Sequence, residues 1–541
     1  MKRPDPFSPC IGPGGPPPGG PPQAVLPRLG RSCLRFFQGL ELFPGGPAAR
    51  LAALLALAAA THGAAGDRPN IVFILADDLG YGDVHALNPQ RGKIATPNLD
   101  RLAAQGMTFT DAHGGSSVCT PTRYGLLTGR YAWRSRLQRG VLDNYVTPLI
   151  AADRLTTPAL LKQQGYHTAC IGKWHLGFTI EGADSTGGKK KKKAAGAGKL
   201  EGAPLGARTA DGPTTRGFDF FYGFHHARMI KSLFENDRVT EIVEPVDMLP
   251  KLARRAAGYV AERAKSGQPF FLYLALNSPH TPIVPSQEWR GKSGLGEYGD
   301  YVMETDWAAG EVLAALERAG VASNTLVFFA SDNGCSPAAG IGRLEQQGHY
   351  PSAQFRGYKA DIWDGGHRIP FIARWPGTIQ AGAACGQLIC LTDLMATCAD
   401  LLGTKLPDTA GEDSVSILPA LLGKAEHPLR EAVVHHSING SFAIRQGPWK
   451  LELCADSGGW CAPKPGSKQA QGLPPVQLYD MAKDVGERAN ESESHPEIVA
   501  RLTNLLEKYV AEGRSTPGKP QTNDAAINLW KKGGAAAEAS E

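Results

Sequence analysis

At 541 residues the chain is long enough for a large domain plus a smaller one, and its apolar content of 42% is that of an ordinary globular protein. Its formal net charge of +5 is small for this length, and much of it is concentrated in one run, Lys189 to Lys193. That pattern excludes a basic nucleic-acid-binding protein.

Residues 1 to 47 are rich in Pro and Gly and read as disordered. Arg50 then precedes Leu51-Ala-Ala-Leu-Leu-Ala-Leu-Ala-Ala-Ala60, with small residues at Gly63-Ala64-Ala65. This is a charged n-region, an apolar h-region and a cleavage site, too short for a membrane span. Residues 1–66 therefore predict export with cleavage near Ala65, leaving no stable membrane span. Periplasm, exterior and, in a eukaryote, lysosome all fit.

From residue 67 to about 425 strands and helices alternate, which predicts an α/β domain. Ile71-Val-Phe-Ile-Leu75 is a continuous apolar run, as a buried parallel strand requires, and it ends in Asp77-Asp78. Thr96-Pro97 to Gln105-Gly106 reads as a capped helix, and Thr157-Pro158 to Gln164-Gly165 repeats the pattern. His167-Thr-Ala-Cys-Ile171 is a short strand followed by Lys173-Trp-His175. Phe270-Phe-Leu-Tyr-Leu-Ala-Leu276 is a third strand, ending in Asn277-Ser-Pro-His280. Tyr301 to Ala319 has helical spacing, and Leu326-Val-Phe-Phe-Ala330 is a fourth strand, ending in Asp332-Asn333-Gly334. Ligands of open α/β sheets bind outside the carboxyl ends of the strands. One polar strand end is a turn, but four carrying metal-ligand or acid/base residues point to a site.

Cys119 lies in Ser-Ser-Val-Cys119-Thr-Pro-Thr-Arg123, ahead of Tyr-Gly-Leu-Leu-Thr-Gly129-Arg130. The stretch predicts a short helix capped by Thr120, with Pro121 in its first turn and Gly129 at its end. An anion brought to Cys119 would then meet helix N–H groups and the Arg123 guanidinium together. Asp77, Asp78, Asp332 and Asn333 offer only oxygen, a set suited to a hard cation, Ca²⁺ before Mg²⁺. Arg123, Lys173, His175 and His280 form a cationic set that would neutralise an oxyanion.

These stretches resemble the type I sulfatases, formylglycine-dependent enzymes of the alkaline-phosphatase-like superfamily, and arylsulfatase A in particular. The matching segments run from about residue 68 to 510. They are Asn70-Ile-Val-Phe-Ile-Leu-Ala-Asp77-Asp78, the Cys-x-Pro-x-Arg of Cys119, Gly-Lys173-Trp-His175, Ser-Pro-His280-Thr-Pro, Ser-Asp332-Asn333-Gly, and Lys359 with its Gly-Gly-His-Arg. The resemblance implies a large, mostly parallel sheet flanked by helices, and a smaller C-terminal α+β subdomain with a short antiparallel sheet. It implies that a maturation enzyme converts Cys119 to formylglycine, whose hydrate attacks the sulfur of a sulfate ester. Asp77, Asp78, Asp332 and Asn333 would bind calcium with the modified Cys119, while Lys173 and Lys359 would bind sulfate oxygens. Arg123 would hold the hydrate, His280 or Lys359 would protonate the leaving alcohol, and His175 would deprotonate the second hydroxyl. Where some relatives place a sulfate-touching serine, this chain reads Phe224-His225-His226-Ala227-Arg228, making His226 and Arg228 substrate-side candidates. The natural substrate, a sulfated small molecule or glycan, is left open. Two other readings compete: a phosphate-ester hydrolase of the same superfamily, and an inactive sulfated-glycan binder.

Residues 426–541 form the predicted smaller part. Ala432-Val-Val-His, Phe442-Ala-Ile and Trp449-Lys-Leu-Glu-Leu have strand composition, and Pro496 to Glu512 has helical spacing. The tail from Gly513 is expected to be extended, with Trp530 its candidate anchor. Cys454 and Cys461 are candidates for a small disulfide loop, and Cys385, Cys390 and Cys398 for core positions or a second bridge. Gly187 to Gly202, with its lysine run, reads as a surface insertion.

Overall fold

A computed structural model describes residues 68–181 and 202–531, so the leader and most of the lysine-rich insertion lie outside the described residues. Strands β1 (Asn70–Asp77), β2 (Met107–Phe109), β4 (His167–Lys173), β5 (Phe220–Phe224), β6 (Ser232–Glu235), β7 (Arg238–Ile242), β8 (Phe270–Pro279), β9 (Thr325–Ser331), β10 (Phe371–Arg374) and β11 (Ala383–Cys385) form one sheet. Its order is β11-β2-β10-β9-β1-β8-β4-β5-β6-β7. The two-residue strand β3 (Ala112–His113) pairs instead with β12 (Ile389–Cys390). The five central strands, β9 to β5, run parallel, and antiparallel strands close both sides. All four strands expected from their apolar runs are therefore neighbours at the centre of the sheet.

Both faces of the sheet are covered, which is why its central strands are uninterrupted in apolar residues. Val72 and Ile74 of β1 pack with helices α1 (Pro97–Gln105), α4 (Pro245–Ala264) and α5 (Glu297–Arg318). Ile71, Phe73 and Leu75 face the opposite core, which includes Tyr124, Leu126 and Leu127 of α2 (Cys119–Thr128) and Leu161 of α3 (Thr157–Gln163). α5 begins about one turn before the expected Tyr301, because acidic Glu297 and Asp300 suit a helix N-terminus.

A second sheet, antiparallel, has the order β13 (Val433–His436), β14 (Phe442–Gln446), β15 (Trp449–Glu452) and β16 (Gln477–Asp480). Val434, Ile444, Leu451 and Leu478 pack with Leu502, Leu506 and Tyr509 of α6 (Pro496–Ala511). The tail differs from expectation at its anchor. Trp530 is 43% exposed, whereas Leu529 is buried and Asp524 pairs with Arg130 at 3.0 Å. The eight described cysteines are all free thiols, so neither expected bridge is formed.

Candidate active site

β1 and β9 are hydrogen-bonded neighbours, so their C-terminal ends bring Asp77-Asp78 beside Asp332-Asn333. Asp78 takes a left-handed backbone (φ 66°), a conformation rare for non-glycine residues and enriched at functional sites. Its N–H donates to Asp332 Oδ1 at 3.2 Å, and Asn333 Nδ2 donates to Asp78 Oδ1 at 2.8 Å. β4 delivers Lys173, whose Nζ donates to Asp77 Oδ2 at 2.6 Å. Gly172 just before it has φ 116°, and a Cβ there would collide with the Ala275 carbonyl of β8. Only glycine allows that close approach. β8 leads into His280, whose Nε2 lies 3.3 Å from Lys359 Nζ, and Lys359 donates to Asp78 Oδ2 at 2.8 Å.

Helix α2 enters from the other core. Its N-cap is Val118, so Cys119 is its first residue, and Thr120, expected to cap, lies inside the helix, where its Oγ1 accepts from Leu142 N. Gly129 ends the helix in the left-handed region (φ 63°), as expected. Candidate ligand atoms of Cys119, Asp77, Asp78 and His280 all lie within 4.8 Å of one another. Arg123, one turn along, is fully buried. Its Nε and NH2 donate to Asp332 Oδ2 at 3.0 and 2.8 Å, and NH1 donates to the Lys173 carbonyl at 3.0 Å. It therefore holds the acidic pocket together rather than standing open to solvent.

His175 has φ 55° and is fully buried. Its Nε2 is 2.8 Å from the Leu142 carbonyl, which only an N–H can satisfy, while Nδ1 has no protein partner. Burial, with His226 and Lys173 nearby, pushes its pKa well down, so the ring is neutral with an open lone pair on Nδ1. His226 packs on it with ring centroids 4.5 Å apart and accepts the Arg228 backbone N–H at 3.2 Å. Of the two substrate-side candidates, His226 therefore sits beside His175, and Arg228 is tied to His226 through its backbone. Sequence reasoning gave no signal for Leu142, which acts through its carbonyl, nor for Asp361 and Trp460, described below.

The donor set fits a hard cation. Asp77, Asp78, Asp332 and Asn333 are buried, and Asp77 Oδ1 and Asn333 Oδ1 have no hydrogen-bond partner. Buried acceptors without donors are costly, and a cation satisfies them. Burial and the adjacent Asp77 push the Asp332 carboxyl up to about 6, the mark of crowded carboxylates. For Asp77 itself, burial is outweighed by Lys173, His280 and Arg123, which hold it well below the carboxylate range. Burial pushes the Cys119 thiol up to about 12 in spite of Lys173 and Lys359, so an unmodified cysteine is not a thiolate nucleophile here.

A cysteine at a helix start, an oxygen-rich pocket and cationic side chains thus converge at the carboxyl ends of the central strands, an arrangement suited to the hydrolysis of an oxyanion ester. A family model described as Sulfatase matches residues 69–404. The chain is 32% identical to an N-acetylgalactosamine-6-O-sulfatase of Bacteroides thetaiotaomicron, over 82% of this chain and 94% of that protein. It is 34% identical to arylsulfatase A of Bos taurus, over 84% and 89%. A protein solved in work on the metabolism of multiple glycosaminoglycans by Bacteroides thetaiotaomicron superposes with a TM-score of 0.70 at 29% identity, covering 82% of this chain and 99% of that one. Ps i-CgsB in complex with k-i-k-neocarrahexaose superposes at 0.65 and 25%, covering 84% and 95%. The chain belongs to the sulfatase family, and it is an enzyme that hydrolyses sulfate esters.

Proposed function

We propose that this sulfatase acts on a sulfated carbohydrate, with 6-O-sulfated N-acetylgalactosamine the first candidate, through formylglycine formed from Cys119 and a bound calcium ion. The carrying observation is the convergence of Cys119, Asp77, Asp78 and His280 within 4.8 Å, with orphaned oxygens on Asp77 and Asn333. The sugar comes from a relative's name, and sulfated glycans also fit the neighbour bound to k-i-k-neocarrahexaose. Asp77, Asp78, Asp332, Asn333 and residue 119 would hold the cation. When bound, the cation supplies positive charge against sulfate oxygens, and the hydrated aldehyde supplies an oxygen nucleophile.

The chain's own residues do the rest. Lys173 and Lys359 bring ammonium groups to the carboxylate pocket, where they neutralise sulfate oxygens. His280 Nδ1–H donates to the Thr281 carbonyl at 2.6 Å, so its Nε2 faces Lys359. That pair is the source of the proton for the leaving alcohol. His175, neutral and with Nδ1 open, accepts the proton that must be removed to release sulfate. Arg123 fixes Asp332 and the Lys173 backbone. His226 and Arg228 lie on the substrate side.

On this reading a formylglycine-generating partner matures the chain, and the leader-like composition of residues 1–66 supports export. Among the described residues no helix is long and apolar enough to cross a membrane. The test is the mass of the Cys119 peptide from the native host, with calcium content and turnover of a sulfated-sugar panel. Loss of the thiol in favour of an aldehyde, one calcium per chain and sulfate release are expected. An intact thiol in an active enzyme overturns the proposal.

A further inference from the structure

Lys359 is followed two residues later by Asp361, a fully buried carboxylate. Its Oδ2 accepts the Tyr358 N–H at 3.0 Å, and its Oδ1 accepts the N–H groups of Trp460 and Cys461 at 2.8 and 3.0 Å. One carboxylate thus ties the Lys359 segment to a loop between β15 and β16. The loop belongs to the antiparallel sheet, not to the sheet that carries the rest of the site. Two more links fix it: Ile362 N donates to Ser457 O at 2.7 Å, and a Cβ at Gly459 would collide with the Ala360 carbonyl. Gly459 lets the loop lie close against the lysine segment, and Trp460 comes next.

The indole of Trp460 lies beside Lys359, with Nζ 5.8 Å from the ring centroid. Lys359 is buried, whereas Trp460 beside it is partly exposed. Its packing is not that of a core residue. Cys454 and Cys461 pack on the cluster of Ile362, Trp363 and Tyr479, but Trp460 belongs to no hydrophobic cluster. The indole N–H is itself buried and has no acceptor among the described residues. A tryptophan whose backbone is tied to the Lys359 segment and whose side chain lies outside the described hydrophobic clusters is held there for a reason other than core packing.

We propose that Trp460 is a substrate-contacting residue that sets specificity for the alcohol part of the ester, its indole forming the wall against which the sulfated sugar ring rests. The inference rests on the carbohydrate reading above. Lys359 and His280 mark the side from which the alcohol departs, so the group next to them faces the leaving sugar, not the sulfate. An indole gives the apolar face of a sugar ring a flat, rigid surface. The small antiparallel sheet therefore contributes recognition, while the large sheet contributes chemistry.

Two measurements test this. In the mature enzyme, W460A is expected to raise KM for a 6-O-sulfated N-acetylgalactosamine disaccharide by about tenfold or more, and W460F to restore most of the loss. Competitive inhibition by inorganic sulfate, which lacks the sugar, should be unchanged in both. Calorimetry in a Cys119→Ala background, where no turnover occurs, should show the same loss of disaccharide binding. Equal binding with and without W460A overturns the role of Trp460 and leaves the carbohydrate reading standing. Binding of no member of a sulfated-sugar panel by Cys119→Ala overturns both. A rise in the sulfate inhibition constant equal to the rise in KM would assign Trp460 to holding Lys359 and overturn the proposal.

Discussion

His175 and Arg123 divide the work at the residue scale: one holds an open lone pair, the other has none of its charge to spare. His175 keeps Nδ1 available because Leu142 takes the proton on Nε2 and burial keeps the ring neutral. His175→Ala is expected to lower kcat by about a hundred- to ten-thousand-fold, the range for a lost general base, with KM little changed. A comparable rise in KM instead would make His175 a binding residue, as steady-state kinetics on an aryl sulfate would show. Arg123→Lys keeps the charge but loses the fork that grips Asp332 through two nitrogens. It should lower calcium affinity as well as kcat, whereas a variant with unaltered calcium titration would show that the fork is dispensable. Most of these positions were legible in the sequence, because strand ends and the Cys119 helix put chemistry-bearing side chains at recognisable places. Leu142 was not, because a backbone carbonyl leaves no mark in residue type. Trp460 and Asp361 were not, because their meaning arises only when distant segments meet.

At the scale of elements, the strands were the most readable, since burial on both faces demands unbroken apolar runs, and β1, β4, β8 and β9 all have them. The shortest strands were not readable. β2, β3, β11 and β12 have two or three residues each, too few for any periodicity. The anchor of the tail was misjudged for a related reason. Trp530 is the largest apolar residue there, but buried Leu529 and polar contacts near the end of the Cys119 helix hold the segment. Arg134 lies just beyond α2 and is fully buried. It grips Asp413 through Nε and NH2 at 2.8 Å each, and the Asp524 N–H reaches its carbonyl at 2.7 Å. Asp413 is fully buried too, and also accepts Tyr131 N and Ser515 Oγ at 2.8 Å. Asp413→Ala would strand a buried guanidinium and should cost about 3–5 kcal/mol in urea unfolding. Asp524, whose side chain is 48% exposed, pairs with Arg130 where solvent screens the charge, so Asp524→Ala should cost about 1 kcal/mol or less. Equal costs would mean that burial does not set the strength of these clamps.

Taken whole, the molecule carries an unusual load of histidine that must stay neutral. Burial depresses His113 to about 4 and His225 and His436 to about 3. Burial, reinforced by neighbouring cations, also pushes His175, His226, His367 and His435 down. Each of these rings binds a proton readily when unfolded, near pH 6.5, and resists one when folded. Between those limits the unfolded state holds more protons, so stability rises with pH. Stability from these rings is therefore complete above about pH 6.5 and is lost as pH falls toward the folded values, by about 1.4 kcal/mol per pH unit for each ring. Buried carboxyls oppose the trend. Burial raises Asp306, Asp332 and Asp361 to about 6 and pushes Glu304, Asp393, Glu412, Glu452, Asp456 and Glu487 up as well, so their contribution grows as pH falls below their folded values. The histidines begin to count at about pH 6.5, above the onset near pH 6 for the three aspartates. The urea midpoint should accordingly fall from about pH 7 toward pH 6 and flatten below, where the carboxyls set in, and a rising midpoint from pH 7 to pH 6 would contradict this accounting of the buried rings.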